Sequence, residues 1–453
     1  MRVHFIAIGG SAMHNLAIAL KENGAEVTGS DDEVFEPSKS RLLKHGILPP
    51  QPGWFPDKIH DRLDAIILGM HARKDNPELK RAQELGLKVY SYPEYLYEQC
   101  KDKKRVVIGG SHGKTTVTSM IMHVLRTEVI VFDYMVGAQL EGFDTMVQLS
   151  PQSQVAVFEG DEYLSSPIDP QPKFLWYKPH IALLTGIAWD HINVFPTIEQ
   201  YHQQFSRFIT TVNPKGVLFY YEGDADLKQI VNETETPCSK RPYTALSAQV
   251  SGDISLIQYN GESYPVALFG NHNLQNMAGA MMVCQELGVE PRQFLKAMKT
   301  FRGAARRLQV LAQNDQAVVF YDFAHAPSKV KATLDAVRER YPNRQLIACL
   351  ELHTFSSLNQ AFLPHYRNTM AQAHRAIVFF DPKVVAHKKL PAITAEEVAR
   401  AFNLPPESVY TNPETLRNEI QKIRLHNANL LIMTSGNFAG LDLKVLTDSV
   451  MEV

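Results

Sequence analysis

Residues 106–116, Val-Val-Ile-Gly-Gly-Ser-His-Gly-Lys-Thr-Thr, confine the middle of this chain to one local design. An apolar run that ends in glycines and Lys-Thr is a strand feeding a phosphate-binding loop, with a helix starting at the lysine. Backbone amides of Gly110, Ser111, His112 and Gly113 can cradle phosphate oxygens. Lys114 can offer them its ammonium, and Thr115, followed by Thr116, can place a hydroxyl on Mg²⁺. Counted from Gly109, the loop is one residue shorter than the usual G-x-x-x-x-G-K-[ST] spacing. The cofactor this predicts is a nucleoside triphosphate with its magnesium ion.

The 453 residues are enough for several domains, and 45% apolar composition is enough to give each a core. With 46 basic and 48 acidic residues the net charge is -2, which supplies no field for nucleic acid or an anionic membrane surface. Cys100, Cys238, Cys284 and Cys349 are far apart and form no C-x-x-C pair, so neither a disulfide framework nor a structural zinc site is expected, and a reducing cytoplasm fits. The opening Met-Arg-Val-His-Phe-Ile-Ala-Ile-Gly-Gly reads as a strand and turn rather than a leader, and no long apolar run predicts membrane insertion.

Strand and helix patterns alternate along the whole chain. A strand at Val3–Ile8, a Gly9-Gly10 turn, a helix over Ala12–Glu22 and a strand at Glu26–Gly29 make a βαβ start. It matches the dinucleotide fingerprint in part, with Ala7, Gly9 and Ala12 at the three glycine positions. Strands at Ala65–Leu68 and Lys88–Tyr90 flank a helix at Pro77–Leu85. Strands at Val155–Phe158, Ile181–Thr185 and Gly216–Tyr220 belong with the loop strand, and Leu227–Ser263 reads as a small antiparallel excursion or insertion. A third alternation takes in Ala317–Tyr321, a helix from Ser328 to Glu339, Gln345–Leu350, a helix over Gln360–His374, Ala376–Phe379, Ala395–Ala401 and Ala428–Met433. The expected fold is α/β in three domains: a Rossmann-like N-terminal domain over 1–100, a central P-loop ATPase domain with a parallel sheet over 101–300, and a C-terminal Rossmann-like domain over 301–453.

Carboxylates and imidazoles fall at predicted strand ends, where open α/β sheets expose their sites. Glu159-Gly160-Asp161-Glu162 follows one strand and suits a hard cation, although a solvated acidic turn has the same composition. Asp190-His191 follows another, making His191 a candidate metal ligand or a hydrogen-bonded structural histidine. Asn273 and Asn276 share a face at a helix start, placed to read a base or to cap the helix. Arg306-Arg307 could close over phosphates. Asp322 could meet a ribose hydroxyl, and His325 could make a polar contact, with Pro327 opening the next helix.

Gly110–Thr116, Glu159 with Asp161-Glu162, His272-Asn273-Leu274-Gln275-Asn276 and Asp322-Phe323-Ala324-His325-Ala326-Pro327 together resemble the signatures of the Mur ligases, which couple ATP cleavage to amide-bond formation. The resemblance implies ATP and Mg²⁺ as cofactors and UDP-N-acetylmuramate as donor. It implies that Gly9, Gly10, Ser11, Ala12, Asp31 and His71 contact the donor, and that His353 and Ser435 contact the amine acceptor. Lys114, Glu159, His191 and His325 would be catalytic, with Thr115, Glu159 and His191 organising the metal and Asn273, Asn276, Arg307 and Asp322 completing the nucleotide site. A monomer or weak homodimer is expected.

Two branches of that family use UDP-N-acetylmuramate, one adding L-alanine and the other the recycled tripeptide L-alanyl-γ-D-glutamyl-meso-diaminopimelate. Asp161-Glu162-Tyr163, Lys173–Tyr177 and Met433–Phe438 resemble the tripeptide branch. Ala7 and Gly160 depart from a family glycine and alanine, and Leu352-His353-Thr354 stands where an arginine is often found. A folate-polyglutamate-type ligase would leave the N-terminal unit without a purpose. A nicotinamide oxidoreductase would not need Lys114-Thr115, and a UDP-sugar sensor would not need to keep both the lysine and the metal groups.

Overall fold

The computed structural model describes residues 1–251, 254–303 and 306–451. Its chain divides into two compact units: Met1–Ile187 with His202–Thr244 and Ala278–Met298, and Ala188–Tyr201 with Ala245–Met277 and Lys299–Val453.

The first unit holds two α/β sheets and a small hairpin. Strands β1 (Arg2–Ile6), β2 (Glu26–Ser30), β3 (Ala65–Leu68) and β4 (Val89–Ser91) form a parallel sheet in the order β2-β1-β3-β4. Next come β5 (Lys104–Gly109), β6 (Phe132–Met135), β7 (Val147–Gln148), β8 (Val155–Glu159), β9 (Leu164–Ser166), β10 (Asp169–Pro172), β11 (Ile181–Leu184), β12 (Val217–Tyr221) and β13 (Ser239–Tyr243). All but the β9-β10 hairpin join a seven-stranded sheet ordered β13-β12-β11-β5-β8-β6-β7, parallel except at β7. Val106, Val107 and Ile108 of β5 are wholly buried, as a central parallel strand covered on both faces requires.

In the second unit, β14 (Ala248–Ser251), β15 (Ile254–Tyr259) and β16 (Glu262–Val266) form an antiparallel sheet. Strands β17 (Gln309–Gln313), β18 (Ala317–Asp322), β19 (Gln345–Glu351), β20 (Arg375–Phe379), β21 (Val409–Tyr410) and β22 (Ala428–Met433) form a sheet ordered β17-β18-β22-β19-β20-β21, antiparallel only at β17. Its two faces are covered by separate apolar clusters, one around Phe320, Leu334 and Tyr366 and the other around Phe379, Leu416 and Leu446.

Three sequence expectations are corrected. The helix expected over Gln360–His374 is a 3-10 turn at Leu363–Tyr366 continued by single turns. Phe362, Leu363, Tyr366 and Met370 are buried at helix-like spacing, but Pro364 removes a donor and Asn368 takes φ 61°, which ends any helix. The stretch from Leu227 begins inside a helix, Ala225–Glu233, and then adds β13 as a parallel edge strand before the antiparallel excursion starts. Pro242 and the charged pair Lys240-Arg241 hid that strand; an edge position tolerates both. The first strand stops at Ile6 because Ala7 is left-handed, with φ 68°.

Ala7 stands where the family pattern has glycine, and its conformation gives the reason for that pattern. Its amide and that of Ile8 both donate to Ser30 O, at 2.9 and 3.1 Å, so the chain turns off the strand there. Relief of left-handed strain in Ala7→Gly, worth about 1–2 kcal/mol, is offset by glycine's entropy and the lost buried methyl, each about 0.8 kcal/mol. Ala7→Gly therefore leaves stability within about 1 kcal/mol, whereas Ala7→Val, β-branched at positive φ, loses more than about 2 kcal/mol. Urea denaturation measures both, and wild-type stability of Ala7→Val would contradict the assigned backbone.

Candidate active site

Strand β5 delivers the chain into the loop Gly109–Gly113, and the helix Lys114–Thr127 starts directly after it. Gly113 caps that helix in the left-handed region at φ 72° and offers no side chain to its first amides, which leaves a cationic helix end facing the loop. Gly110 has φ 121°, and an added Cβ would lie 2.3 Å from Thr185 Oγ1 and 2.9 Å from Gly186 O. The loop is pinned to the end of β11: Ser111 N donates to Gly186 O at 2.8 Å, and the Thr185 hydroxyl donates to His112 O. Thr185 is a positioning group that the sequence signalled only as the last residue of an apolar run.

Lys114 Nζ donates to Gly110 O and to Glu162, both at 2.6 Å. Burial opposes its charge, but Glu162, Asp161 and Glu159 together hold the ammonium above its usual range. Glu162 is itself buried, and Asp161 pairs with Lys173 at 2.6 Å. Glu159 is held differently: Oε1 accepts from Thr115 Oγ1 at 3.0 Å and Oε2 from Gly137 N at 2.8 Å. The three acidic groups that sequence left equivalent are thereby separated, Glu162 on Lys114, Asp161 on Lys173 and Glu159 on Thr115. Gly160 also finds its reason, since a Cβ there would lie 2.7 Å from Val107 Cγ1 and 3.2 Å from Ile108 O.

Gly9, Gly10, Ser11 and Ala12 form the turn into the helix Ser11–Glu22, and Gly10 caps it without a side chain. Gly9 N donates to Asp31 Oδ2 at 2.6 Å, and an added Cβ on Gly9 would meet the same oxygen at 2.9 Å. His71 is exposed just beyond the end of β3. These residues share the C-terminal edge of the four-stranded sheet, where such sheets bind nucleotides.

In the second unit, Asp190, His325, Lys329 and Ser356 gather. Asp190 is buried, with Lys329 Nζ at 3.5 Å, His325 Nε2 at 3.8 Å and Ser356 Oγ at 3.5 Å. Burial alone would raise its pKa, but Lys329 and the two histidines His325 and His191 hold it well below the usual range. His325 Nδ1 donates to Phe323 O at 2.9 Å, which leaves Nε2 toward Asp190. Burial and Lys329 lower the pKa of His325, against the pull of Asp190. His191 follows at φ 58°, its amide donating to Asp190 Oδ1 at 2.7 Å. The role of Lys329 was not legible, since a lysine near a helix start carries no signal of its own.

Asp322, expected at a ribose, accepts from Leu308 N and Ala324 N, both at 2.7 Å, and so fixes the loops around it. Arg307 lies over the Phe323 ring at 4.8 Å; Ala304 and Ala305, which lead to it, lie outside the described residues. Asn273 Nδ2 donates to Phe269 O at 2.9 Å, and Asn276 is buried three residues on. At the ends of β19 and β22, buried Glu351 accepts from the Thr434 hydroxyl and from Phe438 N at 2.9 Å. His353 Nδ1 is 3.7 Å from Glu351, Gly436 leaves room for the imidazole, and the Ser435 hydroxyl is buried with no hydrogen-bond partner among the described residues.

Residues 2–104 match the profile of the Mur ligase family, catalytic domain, residues 108–284 that of the Mur ligase middle domain, and residues 306–438 that of the Mur ligase, glutamate ligase domain. The UDP-N-acetylmuramate–L-alanine ligase of Lactiplantibacillus plantarum is 30% identical over 366 residues, 78% of either chain. The chain belongs to the Mur ligase family. The Escherichia coli UDP-N-acetylmuramate–L-alanyl-γ-D-glutamyl-meso-2,6-diaminoheptandioate ligase is 27% identical over 456 residues, 98% of each chain. A crystal structure of murein peptide ligase from Psychrobacter arcticus 273-4 superposes with a TM-score of 0.69 at 21% identity, covering 100% of this chain and 99% of that one, which shows a shared fold.

As a Mur ligase the protein is an ATP-dependent, amide-bond-forming enzyme of three-domain α/β architecture. Members of the family use ATP and Mg²⁺. The residues fit them: a loop whose Gly110 admits no side chain, a charged buried lysine, and hydroxyl and carboxylate oxygens on Thr115 and Glu159. Among the described residues no helix is long and apolar enough to cross a membrane, and all four cysteines are buried free thiols.

Asp31 gives this region a pH signature. Burial pushes its carboxyl up from 3.8 to about 6, partly countered by the Gly9 amide and reinforced by Asp32. The folded state then holds a proton that the unfolded state has released, so stability falls as pH rises from about 4 to about 6 and levels off above. Asp31→Asn removes that slope: denaturation series from pH 4 to 8 should show the variant gaining on the wild type across this window only. A constant difference would refute the raised pKa.

Proposed function

We propose that this enzyme joins UDP-N-acetylmuramate to the tripeptide L-alanyl-γ-D-glutamyl-meso-diaminopimelate, forming ADP and phosphate, in the cytoplasmic recycling of peptidoglycan. The observation that carries the ATP-dependent chemistry is the charged, buried Lys114 in a loop that Thr185 and Gly110 hold open at the end of β5. Support for the larger acceptor comes from the strings Asp161–Tyr163, Lys173–Tyr177 and Met433–Phe438, and from the polar strand ends at Glu351, His353 and Ser435. On this reading residues 1–100 hold the UDP portion, 101–300 the ATP and 301–453 the acceptor.

A carboxylate is a poor acylating agent because its oxygen would leave as oxide. Attack of the donor's lactyl carboxylate on the γ-phosphorus of ATP first makes an acyl phosphate and releases ADP. Lys114 and the amides of Gly110–Thr116 stabilise charge on the phosphoryl oxygens during that step. Thr115, Glu159 and His191 would hold Mg²⁺, which supplies charge neutralisation. Asn273, Asn276, Arg307 and Asp322 complete the nucleotide site, Asp322 by fixing its loops. Gly9, Gly10, Ser11, Ala12, Asp31 and His71 receive the donor, and His353 and Ser435 the acceptor. The acceptor's neutral α-amine then attacks the acyl carbon, forms a tetrahedral intermediate and expels phosphate, with His325 oriented by Asp190 beside the developing charge.

ADP release with UDP-N-acetylmuramate, ATP and Mg²⁺ tests the acceptor, with product masses read for L-alanine and for the tripeptide. Tripeptide-dependent release with the ligated product is expected. Preference for free L-alanine would move the enzyme to the other branch. Lys114→Ala, folded by circular dichroism, should lose roughly a hundred- to a thousandfold in kcat, the scale of removing one major oxyanion donor; wild-type turnover would overturn its role.

A further inference from the structure

The loop 136–146 between β6 and β7 touches both ends of the first unit's candidate site. At one end the Gly137 amide donates to Glu159 Oε2 at 2.8 Å, and a Cβ on Gly137 would lie 2.8 Å from Glu159 Oε1, so the carboxylate lies directly against the loop. At the other end Met146 N donates to Asn15 Oδ1 at 2.9 Å. Asn15 Nδ2 in turn donates to Ser11 O at 2.8 Å, behind the Gly9-Gly10 turn.

Arg41 joins these ends. From the helix Ser38–Lys44 its Nη1 donates to Asn15 Oδ1 at 3.3 Å, while Nη2 donates to Gln139 Oε1 at 2.5 Å and to Asp144 O at 3.4 Å. The three acceptors are neutral. A guanidinium with this pattern fixes geometry, because its rigid planar fork holds two segments at a set angle, which a lysine's single ammonium on a flexible stem does less well. The loop gains from such a clamp: its ladder runs only as far as Val136 N donating to Met146 O at 3.0 Å, and the remainder contains Gly137 and Gly142. Arg126 anchors only its far side, through Gly142 O at 2.6 Å and the Phe143 ring.

We propose that Arg41 is a positioning residue for phosphoryl transfer, acting through Gln139 and loop 136–146 on the orientation of Glu159. It has no chemistry of its own in the reaction. Glu159 has one oxygen on Thr115 and the other on Gly137; when the loop shifts, the second bond goes and the carboxylate rotates away from the arrangement a hard cation needs. Groups that orient ligands from behind in this way are worth about 10–100-fold in metal affinity or activity. The inference rests on Glu159 serving the ATP-bound magnesium, as proposed above.

The test uses the full-length enzyme and two readouts. The first is the Mg²⁺ concentration that half-saturates binding of a non-hydrolysable ATP analogue, which needs neither donor nor acceptor. The second is kcat for ADP release. Arg41→Met should raise the Mg²⁺ requirement at least about tenfold and lower kcat, with the KM for UDP-N-acetylmuramate little changed. Gln139→Ala should act in the same direction, the double variant should be no worse than the worse single one, and Arg41→Lys should recover part of the loss. Thermal melts establish folding, and if Arg41→Met does not fold, Gln139→Ala carries the same readouts. A folded variant with wild-type Mg²⁺ dependence and kcat, or additive losses in the double variant, would overturn the proposal. A wild type that binds the ATP analogue with Mg²⁺ but ignores UDP-N-acetylmuramate would instead refute the functional reading, leaving the first readout to decide on Arg41.

Discussion

An ammonium group taken out of water must be surrounded by oxygen, and the central part of this molecule is arranged around that need. Lys114 meets it with Gly110 O and Glu162 at 2.6 Å each, with Asp161 and Glu159 contributing at longer range. Those carboxylates arrive from the end of β8, the neighbour of β5 in the sheet, so strand order alone brings them to the lysine. On the other side of β5, β11 is followed by Thr185, whose hydroxyl holds the loop carbonyl of His112. Glycine at 110 is a consequence, because the backbone passes too close to Thr185 and Gly186 for any side chain. A pair such as Lys114 and Glu162 is costly to bury for stability alone. It makes sense as a site in which incoming phosphate replaces the carboxylate as the lysine's partner.

The same logic of strand ends recurs in the four-stranded and six-stranded sheets. At the edge of the four-stranded sheet a left-handed Ala7, a Gly9 too close to Asp31 for a side chain, and a helix capped by Gly10 leave a concave turn with free helix polarity. At the edge of the six-stranded sheet the polar groups are Asp322, Glu351, Thr434 and Ser435, each following an apolar strand. Three such sheets with three polar edges suit a reaction with three substrates, which is the division into donor, nucleotide and acceptor domains proposed above.

Much of this was legible in the sequence because buried parallel strands are largely apolar: β5, β8 and β18 end in glycine or acid, and β11 and β22 run into Thr185-Gly186 and Thr434-Ser435-Gly436. What stayed hidden had a local signal that tertiary context overrode. Phe362, Leu363, Tyr366 and Met370 carry helical spacing in a segment that Pro364 and Asn368 prevent from being a helix. Strand β13 is exposed and contains proline, so nothing in its composition announces an edge strand. In the candidate site, Lys114, Thr115 and Glu159 are proposed from a motif, while the difference between Glu159 and Glu162 depends on which side chain each faces. Asn15, Arg41, Gln139 and Lys329 meet partners distant in sequence, and single-residue chemistry gives no hint of such contacts.

The central claim is that this site activates a carboxylate by phosphorylating it. Donor labelled with ¹⁸O in its lactyl carboxylate measures that directly, by the mass of the phosphate released during ligation. The account predicts one labelled oxygen in each phosphate formed, delivered through the acyl phosphate. Phosphate without label, at a normal rate of amide formation, would contradict it.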